Sequence, residues 1–226
     1  IEHYEVLLRM RDPGTGELRL PGKFIQIAEQ VGLIQQIDHY VIHHALQQLG
    51  ALQKQGRNVC FAINLSGLVI DTSVLLPLLE KTIAEHQVNP NGIIFEITET
   101  VAVSNLQQAK AMMQAIKALG CRFSLDDFGV GFSSFNYMRE LPVDIIKIDG
   151  IFIKNLDKNA DDQLFVKALV DVAKGLNRQT TAEFVENAEI LALLRGYGVD
   201  FAQGYHIGRP QPALLDSTTW SETVSK

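Results

Sequence analysis

An α/β barrel of the (β/α)8, TIM-like type is the fold this sequence predicts, on three observations. Short β-branched or aromatic runs alternate with longer segments of helical apolar period, the pattern of βα units on a parallel sheet. A chain of 226 residues suits one domain of that kind. The first predicted strand lacks the glycine-rich fingerprint that opens a dinucleotide-binding sheet, which favours a barrel over a doubly wound open sheet.

Strands are read at residues 4–9, 59–65, 93–97, 122–125, 145–148, 180–182 and 201–202. A closed barrel needs eight strands, so one lies before residue 1 or is unrecognised. Between the strands, Ile34, Ile37, Val41, Ile42, Ala45, Leu46 and Leu49 form one helical stripe over 34–52. Leu106, Ala109, Met112, Met113, Ile116 and Leu119 form another over 106–119. Gly32, Gly56, Gly120 and Gly175 fall where helices should stop. No linker, repeat or low-complexity tract divides the chain, so residues 1–212 are read as one domain and 213–226 as a loose tail.

A composition of 46% hydrophobic and 20% charged residues excludes disordered, collagenous and coiled-coil classes. The net charge of −6 argues against duplex nucleic acid as the main partner, since a phosphate backbone wants a basic surface. A small anionic ligand stays open, because a metal can carry positive charge into an acidic pocket. Cys60 and Cys121 are too few for a disulfide scaffold and read as buried, reduced thiols, which fits a reducing compartment. No run approaches the roughly 18 apolar residues of a membrane span. No signal peptide opens the chain, and it starts with isoleucine. The expectation is a cytoplasmic piece of a larger protein, free-standing or membrane-attached elsewhere, with no membrane contact of its own.

The functional signal is polarity in the wrong place. Strands buried on both faces should read apolar, yet each predicted strand meets a charge or amide near its C-terminal end. These are Glu5 and Arg9, which with Leu7 share one face by the period of two, then Asn64, Glu96 and Glu99, Asp126 and Asp127, Lys147 and Asp149, Glu183, and Gln203. Buried charge costs several kcal/mol unless paired or metal-bound. Such residues converge on the mouth where barrel active sites are built. The set is mostly carboxylates without histidine or cysteine, and hard oxygen donors select Mg²⁺ or Mn²⁺. That combination suits phosphoryl chemistry. His39, His43 and His44 lie on the long amphipathic helix and read as a solvated face, while His206 follows the last strand. Gly129 and Gly131 read as turn chemistry.

Taken in order, the motifs resemble the EAL domain family of bacterial cyclic di-GMP phosphodiesterases. Glu5-Val6-Leu7 stands for the signature Glu-Ala-Leu, followed by Leu8 and Arg9. Asn64-Leu65-Ser66, Glu96-Ile97-Thr98-Glu99 and the stretch from Asp126-Asp127-Phe128-Gly129 to Ser133-Ser134 follow. Pro142-Val143-Asp144 with Lys147-Ile148-Asp149, Ala182-Glu183-Phe184-Val185-Glu186, and Gln203-Gly204-Tyr205 with Pro210 complete the series.

The resemblance implies a modified barrel with its first strand antiparallel, hydrolysis of cyclic di-GMP to linear pGpG, and two metal ions, Mg²⁺ or Mn²⁺. It places Glu5, Asn64, Glu96 and Asp126 on one ion and Asp127 and Glu183 on the second, with Asp126 bridging. Lys147 would meet the nucleophilic water or the phosphate, and Glu183 is a general-base candidate. Leu7, Arg9, Asp149, Gln203 and Pro210 would seat the ligand, with Glu99 and Glu186 in support. It also implies other signalling domains in the full chain, and biofilm or motility as the processes served.

Phe184 stands where the family has glycine, a residue that allows positive φ or close ligand approach; a side chain there can tilt Glu183 or crowd the second metal. Val130 and Phe132 each lose a hydroxyl present in the family. The alternative function is a weak or inactive cyclic di-GMP receptor acting through a partner. Phe128, Phe132, Phe135, Tyr137 and Met138 within 127–141 lead to the expectation of a homodimer through this segment.

Overall fold

In the computed structural model of the chain, residues 1–66, 72–129 and 135–212 are described. Seven strands form one parallel sheet in the order β1 (Glu2–Val6), β4 (Val59–Asn64), β5 (Ile93–Thr98), β6 (Arg122–Phe128), β7 (Ile145–Ile148), β8 (Gln179–Ala182) and β9 (Phe201–Ala202). Two short strands, β2 (Met10–Arg11) and β3 (Leu18–Arg19), pair antiparallel apart from that sheet. The helices are α1 (Pro21–Gln30), α2 (Ile34–Lys54), α3 (Thr72–His86), α4 (Glu99–Ser104), α5 (Leu106–Ala118), α6 (Phe135–Glu140), α7 (Gly150–Ile153), α8 (Ala160–Gly175) and α9 (Ala188–Tyr197).

The sheet curls. His3 of β1 stacks on Phe201 of β9 with ring centroids 4.2 Å apart, so side chains of the first and last strands meet. The central strands β4 to β7 put apolar residues on both faces, and Ile63, Phe95, Phe123, Leu125, Ile146 and Ile148 are fully enclosed with α2, α3, α5 and α8 packed outside. The predicted strands are all present, two with the predicted ends (145–148 and 201–202) and five with shifted ends, and the barrel-type βα alternation holds.

The large sheet holds seven strands among the described residues, the number read from the sequence. β1 runs parallel to β4, reached through a crossover that contains α1 and α2, as parallel neighbours require, so none of the seven is the antiparallel strand that the resemblance implies. One expectation is corrected. β1 ends at Val6, so Leu7 and Arg9 lie beyond it and do not share a strand face with Glu5. The glycine stops are partly right. Gly32, Gly56 and Gly120 adopt positive φ after their helices, but Gly175 is the last residue of α8 and Asn177, at φ +55°, takes the left-handed position instead.

Cys60 and Cys121 are free and buried. Among the described residues, no helix is long and apolar enough to cross a membrane. The tail 213–226 lies outside the described residues, as do Val130, Gly131, Phe132, Ser133 and Ser134.

Candidate active site at the strand ends

Every strand of the large sheet delivers a polar side chain at its C-terminal end, and Lys147 sits among them. Its Nζ lies 2.9 Å from Glu183, 3.1 Å from Asp126, 3.2 Å from Glu96 and 3.8 Å from Glu5. The lysine is 2% exposed and Glu96 4%. An ammonium group removed from water this completely is tolerable only because four carboxylates surround it. Desolvation would pull the Lys147 pKa down, but Glu96, Glu5, Asp126 and Glu183 outweigh it and the net shift is upward. Burial pushes Glu96 up to about 8 and Glu183 up to about 7, against the opposing pull of Lys147.

Glu5 is held by two amides. Asn64 Nδ2 donates to Oε1 at 2.9 Å, and Gln203 Nε2 donates to Oε2 at 2.6 Å. Asn64 and Glu96 are register partners on adjacent strands, which brings β1, β4 and β5 together at one spot.

The adjacent aspartates pose a geometric problem, because successive strand residues point to opposite faces. The chain solves it with a break in register between Leu125 and Phe128, where Asp127 takes φ +56°. Aspartate is among the few residues that enter the left-handed region readily. One oxygen each of Asp126, Asp127 and Glu183 then lies within 4.8 Å of the others, a group able to hold a metal ion. Burial, then the negative charges of Asp126 and Asp149, raise the pKa of Asp127. Asp149 also accepts from the Ile151 amide at 2.7 Å, capping α7.

The structure separates the other predicted site residues from this centre in part. Glu99 is buried at the start of α4. Leu7 is exposed, and the Arg9 guanidinium donates to the Leu8 carbonyl at 2.8 Å. Glu186 and Pro210 are exposed.

Phe184 does adopt positive φ, +52°, at a cost of about 1–2 kcal/mol for a non-glycine residue. Its ring lies over Gly150, where an added Cβ would stand 2.1 Å from Cδ2, and Lys154 Nζ sits 4.2 Å from the ring centroid. The ring is thus packed on α7 while the backbone keeps the conformation that a glycine would allow.

One contributor escaped the sequence reading. Asp38 of α2 is buried and accepts from Ser66 Oγ at 2.5 Å, anchoring the chain just after β4 and Asn64. Asp38 stands four residues from both Ile34 and Ile42, inside the apolar stripe, and that misplaced polarity was its signal. His43 corrects the solvated-face expectation: it is half-buried against His86, with ring centroids 5.2 Å apart, while His44 is exposed.

The comparisons agree with this geometry. A family model described as "EAL domain" matches residues 1–210. The chain is 42% identical over 211 residues to cyclic di-GMP phosphodiesterase PdeB of Shewanella oneidensis, covering 93% of this chain and 24% of that protein. It is 35% identical over 222 residues to cyclic di-GMP phosphodiesterase PdeF of Escherichia coli, covering 98% and 30%. It therefore spans about a quarter to a third of the length of these curated relatives. Among solved structures, the FimX EAL domain of Pseudomonas aeruginosa bound to c-di-GMP superposes with TM-score 0.87 at 32% identity, covering 94% of this chain and 85% of that one. The MucR phosphodiesterase in complex with c-di-GMP gives 0.86 at 35%, covering 92% and 85%. With that match over nearly its whole length, and carboxylates gathered at the ends of a parallel barrel sheet, the chain belongs to the EAL domain family.

Proposed function

We propose that this domain hydrolyses one phosphodiester bond of cyclic di-GMP to give linear pGpG, with Mg²⁺ or Mn²⁺ in two positions. The observation that carries the reading is the all-oxygen cluster around Lys147. The names of PdeB and PdeF support the activity, and the FimX and MucR complexes support the ligand. The donor set fits hard divalent ions. Glu5, Asn64, Glu96 and Asp126 would hold one ion, and Asp127 and Glu183 the second, with Asp126 shared. Such ions neutralise phosphate charge and lower the pKa of water.

The chain's own residues then have distinct tasks. Water adds across one P–O bond, its oxygen going to phosphorus and the departing ribose oxygen taking a proton. Glu183 would accept the proton of the water, the general-base role that the family resemblance implies for it. Lys147 keeps the carboxylates oriented and offers its ammonium to developing charge. Asn64 and Gln203 fix the rotamer of Glu5. Leu7, Arg9, Asp149, Gln203 and Pro210 line the approach for the ligand, with Glu99 and Glu186 in support.

Incubation with cyclic di-GMP and Mg²⁺ or Mn²⁺, followed by chromatography for pGpG, tests this. Tight binding with no product, in either ion, would replace it with the receptor reading. We also infer a cytoplasmic setting within a longer signalling protein, with 213–226 outside the domain. The homodimer through 127–141 stays a proposal with a narrower base. Phe128 and Met138 are buried in the core and Tyr137 packs on it, which removes them from any exposed face. Phe132 and the Phe135 side chain fall outside the described residues. Sedimentation at rising protein concentration decides it.

A further inference from the structure

A second set of metal-binding side chains lies on the helical layer, away from the strand ends. His43 of α2 and Glu85 and His86 of α3 each offer a donor atom, all within 4.8 Å of one another. In a βα unit the helix leaves the C-terminal end of its strand and returns along the sheet. His86 is the last residue of α3, so the cluster sits at the opposite end of the sheet from the carboxylates.

The fold brings these groups together deliberately close. His43 and Gly50 are seven residues apart on α2, about two turns, and so share a face. A Cβ at Gly50 would stand 2.5 Å from the His86 carbonyl oxygen, so only glycine lets the end of α3 approach α2 this closely. Gln87, at φ +57°, stops α3 there. The C-terminal end of a helix carries partial negative charge and favours a cation.

An independent observation points to a ligand. His86 Nε2 is sealed from solvent and has no hydrogen-bond partner among the described residues. Buried polar atoms are nearly always satisfied, and an orphan calls for an ion or a water. His44, next along α2, is engaged otherwise: its Nδ1 lies 2.8 Å from the Tyr40 carbonyl and its ring packs on Tyr40.

Two imidazoles and a carboxylate select a borderline transition ion over Mg²⁺ or Mn²⁺. Glu85 is exposed, which gives an ion a way in from solvent. We propose that His43, Glu85 and His86 form a second metal site, for Zn²⁺ or an ion of its class, that clamps α3 to α2. The site is independent of the hydrolytic reading above.

Calorimetric titration of the whole chain with Zn²⁺ in excess Mg²⁺, which favours hard-ion occupancy of the carboxylate centre, provides the test. One Zn²⁺ should bind per chain, and Zn²⁺ should raise the melting temperature. His43→Gln and His86→Gln should each weaken binding by at least about tenfold, since even outer-shell partners are worth that much. The melting shift should vanish with it, and Glu5→Ala should keep both. His43→Gln is the safer variant, because His43 is half-buried and accepts an amide of similar size. The proposal is overturned if Zn²⁺ does not bind in excess Mg²⁺, if both histidine variants bind it as the parent does, or if binding disappears in Glu5→Ala.

Discussion

Gln203 Nε2 donates to Glu5 Oε2 across 2.6 Å, although the two residues are 198 positions apart. That bond joins the end of β9 to the end of β1 and fixes a carboxylate of the centre at the same time. A hydrogen bond to a charged group contributes about 1.5–3 kcal/mol. Gln203→Glu should therefore lower the melting temperature and reduce turnover of cyclic di-GMP by at least about tenfold, because it sets a like charge against Glu5. Gln203→Ala should fall between this variant and the parent. Parental activity in Gln203→Glu would show that the bond has no part in placing Glu5.

Glu5→Ala removes one proposed metal ligand and the acceptor of two amides. Loss of one electrostatic contact in a transition state costs about 10²–10³ in rate, and loss of an ion costs more. Turnover should become undetectable, and excess EDTA should do the same to the parent. Full activity in either case counts against metal-dependent hydrolysis.

Lys147→Met keeps the length of the side chain and removes its charge. Breaking a buried pair costs about 3–5 kcal/mol, so chemical denaturation should show a loss of that order. The kcat should fall strongly. If the ammonium acts in the reaction, affinity for cyclic di-GMP should change by less than about tenfold. Arg9→Ala should show the opposite pattern, weaker binding with kcat nearly kept, if its guanidinium turns from the Leu8 carbonyl to a ligand phosphate.

Gly150→Ala would put a methyl group into the ring of Phe184 and displace the residue next to Glu183. Activity should drop, and Phe184→Gly in the same chain should restore it. Phe184→Gly alone should change stability by no more than about 1 kcal/mol, since relief of the positive φ offsets the lost ring packing. A Gly150→Ala enzyme with parental kinetics would disconnect the ring from the centre.

Asp38 gives the pH dependence a definite sign. Burial raises its pKa from 3.8 to about 6, against the pull of its Ser66 hydrogen bonds. The native state thus holds the proton more tightly than the unfolded chain. The associated stability is present below about pH 4 and is lost as pH rises through about 6, by about 3 kcal/mol in all. Asp38→Asn should raise the melting temperature more at pH 7.5 than at pH 4.5. An equal shift at both values would mean that Asp38 does not titrate in this window.

The sequence revealed the site through residues that break their local pattern. A glutamate or lysine inside an apolar strand is visible without any structure, as at Glu96 and Lys147. What it could not show was distance: the four carboxylates and the lysine they surround come from the ends of five different strands. It also misjudged Leu7 and Arg9, because a period of two applies only while the strand lasts, and β1 ends at Val6. Phe128, Tyr137 and Met138 looked like part of an exposed surface because composition does not reveal what packs against them. His43 looked solvated because its neighbour, His86, lies on another helix.

The lysine among the carboxylates bears on how the protein meets its supply of ions. Four acidic groups gathered at a barrel mouth would repel one another as the sheet closes. An internal ammonium supplies the countercharge from within the chain itself. Sheet closure then has no need to wait for an ion, unlike domains whose folding and metal binding are one event. If the centre works with divalent ions as proposed above, their scarcity would lower output while sparing the pool of folded protein, and recovery would take no longer than rebinding.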